Sequence, residues 1–242
     1  MKFKKQNQHG AWAMVFMPLI IGMVAGGFHL SQLFYMAGWL MIFFMADHIL
    51  HFIKRFKRKE YGYLKAAALF FAAAALLFVY PLITEYRIIF FFMAMIPFGM
   101  VNARYAYIKK ERALVNDVAA IIIFSIAGGG IAFLNLHTFT SGIFFTMLIS
   151  LLFFISTALF VKTMIREKKN RIFKIISFSY HTALFILMMW WHWFLAIAFI
   201  FSLIRAVLLY GRGWKMKRIG ILEIIHAIWV TCWAIIYLVY VI

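Results

Sequence analysis

The sequence predicts an all-α, polytopic transmembrane helical bundle of about nine spans, and three observations predict it. Apolar residues make up 67% of the 242 residues and charged residues only 13%, with a mean hydropathy of +0.95; no single soluble core buries that much apolar surface. Apolar runs of about 18 residues or more, the length that crosses a bilayer, recur from end to end, and in lipid only helices and closed barrels satisfy their own backbone. The charges sit between these runs, crowded into alternate connections. The chain reads as a single transmembrane domain, residues 1–242, with no soluble domain, low-complexity linker or detectable repeat.

In order, the predicted spans are 11–28, 33–53, 66–83, 88–101, 118–136, 142–161, 172–190, 193–210 and 219–241. The first follows Lys2, Lys4 and Lys5, a basic front like that of a signal peptide. No small-residue cleavage site follows and the apolar pattern continues, so the run is kept as a span. The fourth extends toward Tyr107. Asn116 or Asp117 stands where the fifth begins, in position to cap it. The fifth also contains Gly128, Gly129 and Gly130, which allow either close helix approach or a local break. Only Trp191 and His192 divide the seventh from the eighth, a tight hairpin whose Trp190, Trp191 and Trp193 read as an interfacial anchor on the outer face. The ninth carries Cys232, the lone cysteine. It excludes an intrachain disulfide and reads as a small packing residue.

A net charge of +18 would suggest nucleic acid in a soluble protein; between membrane spans it follows the positive-inside rule instead, and no nucleic-acid partner is expected. Of the 25 basic residues, Arg87 alone falls in an odd-numbered connection. The others belong to the N-terminus and to the even connections with their flanks: Lys54 to Lys65, Arg104 to Arg112, Lys162 to Lys174, and Arg205 to Arg218. This places the N-terminus and the even connections in the cytoplasm and the C-terminus outside. The basic loops are expected to lie against anionic lipids of the cytoplasmic leaflet, at about 1 kcal/mol per residue.

Ionisable groups inside such spans are costly and mark sites by default. The candidates are His9, Asp47 and His51, Arg104, Glu111, Arg112, Asn116, Asp117, His181, Arg205, and Glu223 with His226. Apart from His181, near mid-membrane, all lie toward the cytoplasmic ends, so a single inward-opening polar cavity is expected. Asp47 and His51 share a helix face, as do Glu223 and His226. Two such pairs suit a divalent cation. They equally suit a proton relay, or an anionic, phosphate-bearing and lipid-linked ligand held with Arg112 and Arg205. A purely structural role, each carboxylate pairing with a neighbouring cation, explains the same pattern. The local excess of bases favours an anionic ligand. No phosphate loop, serine elbow, His-Glu-x-x-His motif or desaturase-type histidine cluster is present.

Three segments carry a resemblance: Gln8-His-Gly-Ala-Trp-Ala13, Glu111-Arg-Ala-Leu-Val-Asn-Asp-Val-Ala-Ala120 and Ile219-Gly-Ile-Leu-Glu-Ile224. They resemble the YwiC-like family of bacterial membrane proteins, over essentially the whole chain. The resemblance implies a protein of the bacterial inner membrane and no particular activity. The architecture is also similar to UbiA-type prenyltransferases, whose Asp-rich motifs in the second and sixth connections hold Mg and diphosphate. Here those regions offer Asp47 and His51, then Glu167 among lysines, so the likeness implies at most a divergent transferase. A small-solute or proton-coupled transporter and a non-catalytic membrane subunit are the alternatives. Transporters usually need access from both sides and often show repeats, neither of which the sequence displays.

Overall fold

Apolar composition and backbone satisfaction produce helices and nothing else among the described residues. The computed structural model describes residues 9–242, with side chains from Gly10 onward. Nine α-helices follow one another: α1 (His9–Gly26), α2 (Leu30–Lys54), α3 (Tyr61–Thr84), α4 (Ile89–Tyr107), α5 (Leu114–Leu136), α6 (Ser141–Ile165), α7 (Arg171–Trp191), α8 (Trp193–Leu208) and α9 (Met216–Tyr240). Seven are long and apolar enough to cross a membrane; the apolar stretches Gly10–Gly26 and Trp193–Leu208 are shorter. The chain is a multi-pass membrane protein.

Boundaries follow local chemistry. His29 caps α2, accepting from the Ser31 amide while Gln32 reaches back to the His29 amide. Asn170 caps α7 by accepting from the amides of Ile172 and Phe173. His192 alone separates α7 from α8, and its ring accepts from the Phe194 amide. Helix α5 departs from the expected cap. It starts at Leu114 with Ala113 as its N-cap, and no side chain caps it, so Asn116 and Asp117 lie within the first turn. Both are engaged elsewhere, as described below, which removes them from capping.

Helices α1, α5 and α6 form the centre. α2, α3 and α4 pack on one flank through α5, and α7, α8 and α9 on the other through α1 and α6. The three glycines make a notch, since α5 continues through them as regular helix. A Cβ on Gly22 of α1 would collide with the Gly128 carbonyl, one on Gly128 would stand 2.7 Å from the Pro18 carbonyl, and one on Gly26 2.6 Å from the Ala132 carbonyl. Here backbone meets backbone. Cys232 is exposed on the outer surface of α9, which corrects its expected packing role. Of the tryptophans at the α7–α8 hairpin, Trp190 is 85% exposed, whereas Trp191 turns inward onto Phe145 and Tyr237.

Polar contacts tie the connections together at each end. At the basic end, Lys54 meets Glu111 at 2.7 Å, Lys162 donates to the Arg112 carbonyl at 2.6 Å, and Tyr210 donates to the Lys168 carbonyl at 3.2 Å. At the opposite end Asn135 donates to the Gly26 carbonyl. There buried Glu85, between α3 and α4, accepts from Arg87 at 2.8 and 2.5 Å and lies 2.7 Å from His137 Nδ1. The Arg87 hydrogen bond outweighs the opposing burial and, with His137, holds the Glu85 carboxyl at about 2, below its ordinary 4.5.

Two outcomes test this frame. Gly22→Ala should destabilise the protein by about 1–3 kcal/mol through overpacking, while Gly99→Ala, with nothing near its Cβ, should not; SDS unfolding in mixed micelles measures both. The depressed Glu85 pKa contributes stability that is complete above 4.5 and drains away as pH falls toward about 2. Over that window the melting temperature of the wild type should fall further than that of Glu85→Gln.

Candidate functional site: a buried polar cluster in the α6–α9 half

Four helices direct polar groups at one another well inside the apolar bundle. α7 buries a stripe of Ser177, His181, Leu184 and Met188, the spacing of one helix face. α8 buries Ser202 and Arg205, and α9 buries Glu223 and His226. Arg205 is 2% exposed and Glu223 3%, so this pair meets without water to screen it. Arg205 Nη1 donates to Glu223 Oε1. Its Nη2 makes a long 3.4 Å contact to Thr157 Oγ1 of α6, and the guanidinium lies 4.5 Å over the Phe160 ring. His226 Nε2 shares a 3.2 Å hydrogen bond with Ser202 Oγ, and its ring stands edge-on to Phe153.

The proton on His181 can be placed. Its Nδ1 is 2.6 Å from the Ser177 carbonyl, and a carbonyl only accepts, so Nδ1 carries hydrogen. Four buried atoms remain without a partner: His181 Nε2, Arg205 Nε, Glu223 Oε2 and His226 Nδ1. Arg205 Nε is a donor and Glu223 Oε2 an acceptor, while the two imidazole nitrogens take either role according to protonation. Buried polar atoms are satisfied in the great majority of cases, so four orphans within one ion-paired cluster mark a place that can receive a ligand or a proton.

A second polar layer lies nearer the basic end. Lys162 of α6 sits five residues beyond Thr157, about 7.5 Å along the axis, and meets Asp117 at 2.8 Å. Asn116 bridges Asn102 of α4 and the Glu111 carbonyl. Beyond α6, the Arg166 guanidinium is pushed below its usual range by burial and by neighbouring Arg112, with Asp117 opposing.

The structure therefore brings His181, Arg205, Glu223 and His226 together, and gathers Glu111, Asn116 and Asp117 in the second layer, nearer the basic end. The Arg104 and Arg112 side chains are exposed, and Arg112 offers its carbonyl to Lys162. Asp47 and His51 lie on α2, where His51 packs on Tyr63 of α3 at 4.5 Å. α2 packs against α3, α4, α5 and α1. In place of one cavity holding every candidate, the residues divide by flank, because α1, α5 and α6 stand between α2 and α9. The side chain of His9 lies outside the described residues. No group of three or more His, Cys, Asp or Glu among the described residues is arranged to hold a metal; the expected carboxylate–histidine pairs sit on opposite flanks, so the donors on hand do not fit a divalent cation. Thr157, Ser177 and Ser202 escaped the sequence reading. The signal for the two serines was a hydroxyl three or four residues from an ionisable group on an apolar helix, as with Ser177–His181 and Ser202–Arg205; Thr157, five residues from Lys162, carried none.

A helical membrane bundle with an ion-paired cluster in its interior defines the class. Residues 6–132 match the model of the YwiC-like protein family. The chain is 33% identical to "Uncharacterized protein YwiC" of Bacillus subtilis (strain 168), over 94% of this chain and 95% of that one. It is 34% identical to an "Uncharacterized protein" of Haemophilus influenzae (strain ATCC 51907 / DSM 11121 / KW20 / Rd), over 92% and 93%. This protein belongs to the YwiC-like family. No solved structure matches it, and the likeness to UbiA-type enzymes rests on helix count and charge placement.

Removing one partner of a buried ion pair costs about 3–5 kcal/mol, whereas an apolar replacement of both is often neutral. Glu223→Ala should accordingly destabilise strongly, and Arg205→Met with Glu223→Leu should recover most of the loss in the same unfolding assay.

Proposed function

We propose that this protein resides in the bacterial cytoplasmic membrane, N-terminus inside and C-terminus outside, and binds a small anion together with a proton at the α6–α9 cluster. One observation carries the reading. Arg205, already neutralised by Glu223, keeps its buried Nε without a partner, in a cluster that also leaves one imidazole nitrogen of His181 and one of His226 unpartnered. A guanidinium offers several donors in a fixed fork, and only Nη1 is well used here. An incoming carboxylate or phosphate oxygen takes Nε and Nη2, displacing the long Thr157 contact.

That step adds negative charge to a site already balanced at zero, and uncompensated charge is expensive away from water. A proton must arrive with the anion, and imidazole is the side chain suited to accept it near neutral pH. One of the two histidines takes it, His181 at Nε2 or His226 at Nδ1, while Glu223 holds Nη1 of Arg205 throughout. The outcome is electroneutral anion–proton binding, the elementary step of proton-coupled solute handling. The orientation is supported by the basic residues: all of them except Arg87 fall at the N-terminus or at alternate connections. Arg205 replaces exposed Arg112 as the anion-binding cation, and no step uses a metal.

Two measurements test the proposal. In a Cys232→Ser background, single cysteines near Lys57, Lys110, Lys168 and Lys215 should be labelled only from the cytoplasm and one at Ile242 only from outside; a cytoplasmic C-terminus sinks the orientation. Thermal stabilisation of the purified protein by phosphate and small carboxylates should be stronger at pH about 6 than at about 8, since proton uptake accompanies binding. Arg205→Lys should weaken it about tenfold through loss of the fork, and His181→Gln with His226→Gln should remove the pH dependence. Stabilisation that is independent of pH, or unchanged in Arg205→Lys, rules out the coupled site.

A further inference from the structure

The geometry points to a second, separate site: a basic and aromatic cleft between the start of α7 and the end of α8 that holds the phosphate headgroup of an anionic phospholipid. The cleft has a volume of about 520 Å³. Lys169, Arg171 and Lys174 line it together with Phe178 and Tyr210, and no carboxylate does. Among the described residues none of these three cations forms an ion pair, so their charge is free for an anion.

The cleft is built as well as charged. Lys174 and Phe178 are four apart on α7, one above the other on the helix surface. The Lys174 amine stands 4.8 Å from the Tyr210 ring centroid and 5.6 Å from that of Phe178, and the two rings meet edge to face at 5.5 Å. Tyr210 is itself fixed, donating its hydroxyl to the Lys168 carbonyl. The ammonium is thereby held at the mouth of the cleft, with its remaining donors available. Ring faces attract a cation without neutralising it, so a phosphate still meets full positive charge.

The surroundings select a lipid over a soluble phosphate. Arg171 opens a membrane-length helix, which puts the cleft at the level where headgroups lie. Ile172 and Ile175, on the exposed side of the same turns, are 68% and 55% exposed and offer apolar surface to acyl chains directly beside the cations. The comparable basic cleft at the ends of α2 and α4, ≈ 550 Å³, differs in having carboxylates at its edge: Lys54 is held by Glu111 and Arg55 lies 3.6 Å from Glu60.

Native mass spectrometry of the full-length protein in detergent, titrated with phosphatidylglycerol and, in parallel, with glycerol phosphate and inorganic phosphate, tests the assignment. Phosphatidylglycerol should bind in a saturable manner and the two soluble phosphates at least tenfold more weakly. Tyr210→Leu, which changes no charge, should weaken phosphatidylglycerol binding about threefold to fivefold. The triple change Lys169→Gln, Arg171→Gln, Lys174→Gln should weaken it at least tenfold more than Lys215→Gln, Lys217→Gln, Arg218→Gln, which removes the same charge from another basic loop. Equal losses in the two triple variants, with no effect of Tyr210→Leu, would mean diffuse attraction and overturn the site; equal binding of glycerol phosphate would overturn the lipid. Each variant's melting temperature, compared with wild type, separates loss of binding from loss of fold.

Discussion

Between α1 and α5 the two backbones touch, and most of the architecture hangs on that contact. Gly22 and Gly26 face the carbonyls of Gly128 and Ala132, and Gly128 faces that of Pro18. Inside a membrane there is no hydrophobic force to drive helices together, because lipid tails are as apolar as leucine; packing and polar contacts do it instead. Small residues bring two axes close enough for dispersion contacts along both backbones. Ala, with one more methyl, would push α1 off α5. Since α5 carries the α2–α4 flank and α1 carries α9, such a shift is felt on both sides. Gly130 adds to the arrangement by leaving room for the Tyr35 hydroxyl of α2.

The ion pair of Arg205 and Glu223 is the second organising feature, and its energetics differ in kind. A buried pair recovers in Coulomb attraction roughly what it loses in desolvation, so it is weak evidence of stabilisation. Its effect is on specificity. The three helices α6, α8 and α9 must sit so that Thr157, Phe160, Arg205 and Glu223 meet, because any register that parts the charges is far more costly. The cluster also stores unused hydrogen-bonding capacity at four atoms, and that surplus connects its structure to anion and proton chemistry.

Much of the fold was legible in the sequence. Nine apolar runs became nine helices; 142–161 lies within Ser141–Ile165, and the hairpin expected around Trp191 and His192 turns at His192 alone. The start of the fifth helix was misplaced by four residues because Leu114 and Val115 precede Asn116 and Asp117 without raising an apolar signal of their own. His181, Arg205, Glu223 and His226 were singled out by depth alone, since ionisable groups are rare in apolar helices. Thr157 and Ser202 were not, because a hydroxyl in an apolar helix can always bond the carbonyl of the preceding turn, so its presence does not announce the partners it takes here, Arg205 and His226.

By itself, then, the sequence determined the class of protein, the succession of helices and the division between basic and neutral ends, because these depend on composition and on periodicities within a single segment. It also fixed which residues are expensive where they stand. Only the tertiary structure decided which of those residues meet. Asp47 and Glu223 lie at matching depths on helices of the same length, 25 residues each, and nothing local to either helix says that they occupy opposite flanks. That outcome is set by the order in which helices pack around α1, α5 and α6, and hence by the fit of Gly22 to Gly128, a contact between residues more than a hundred positions apart whose partners can be identified only once the chain has folded.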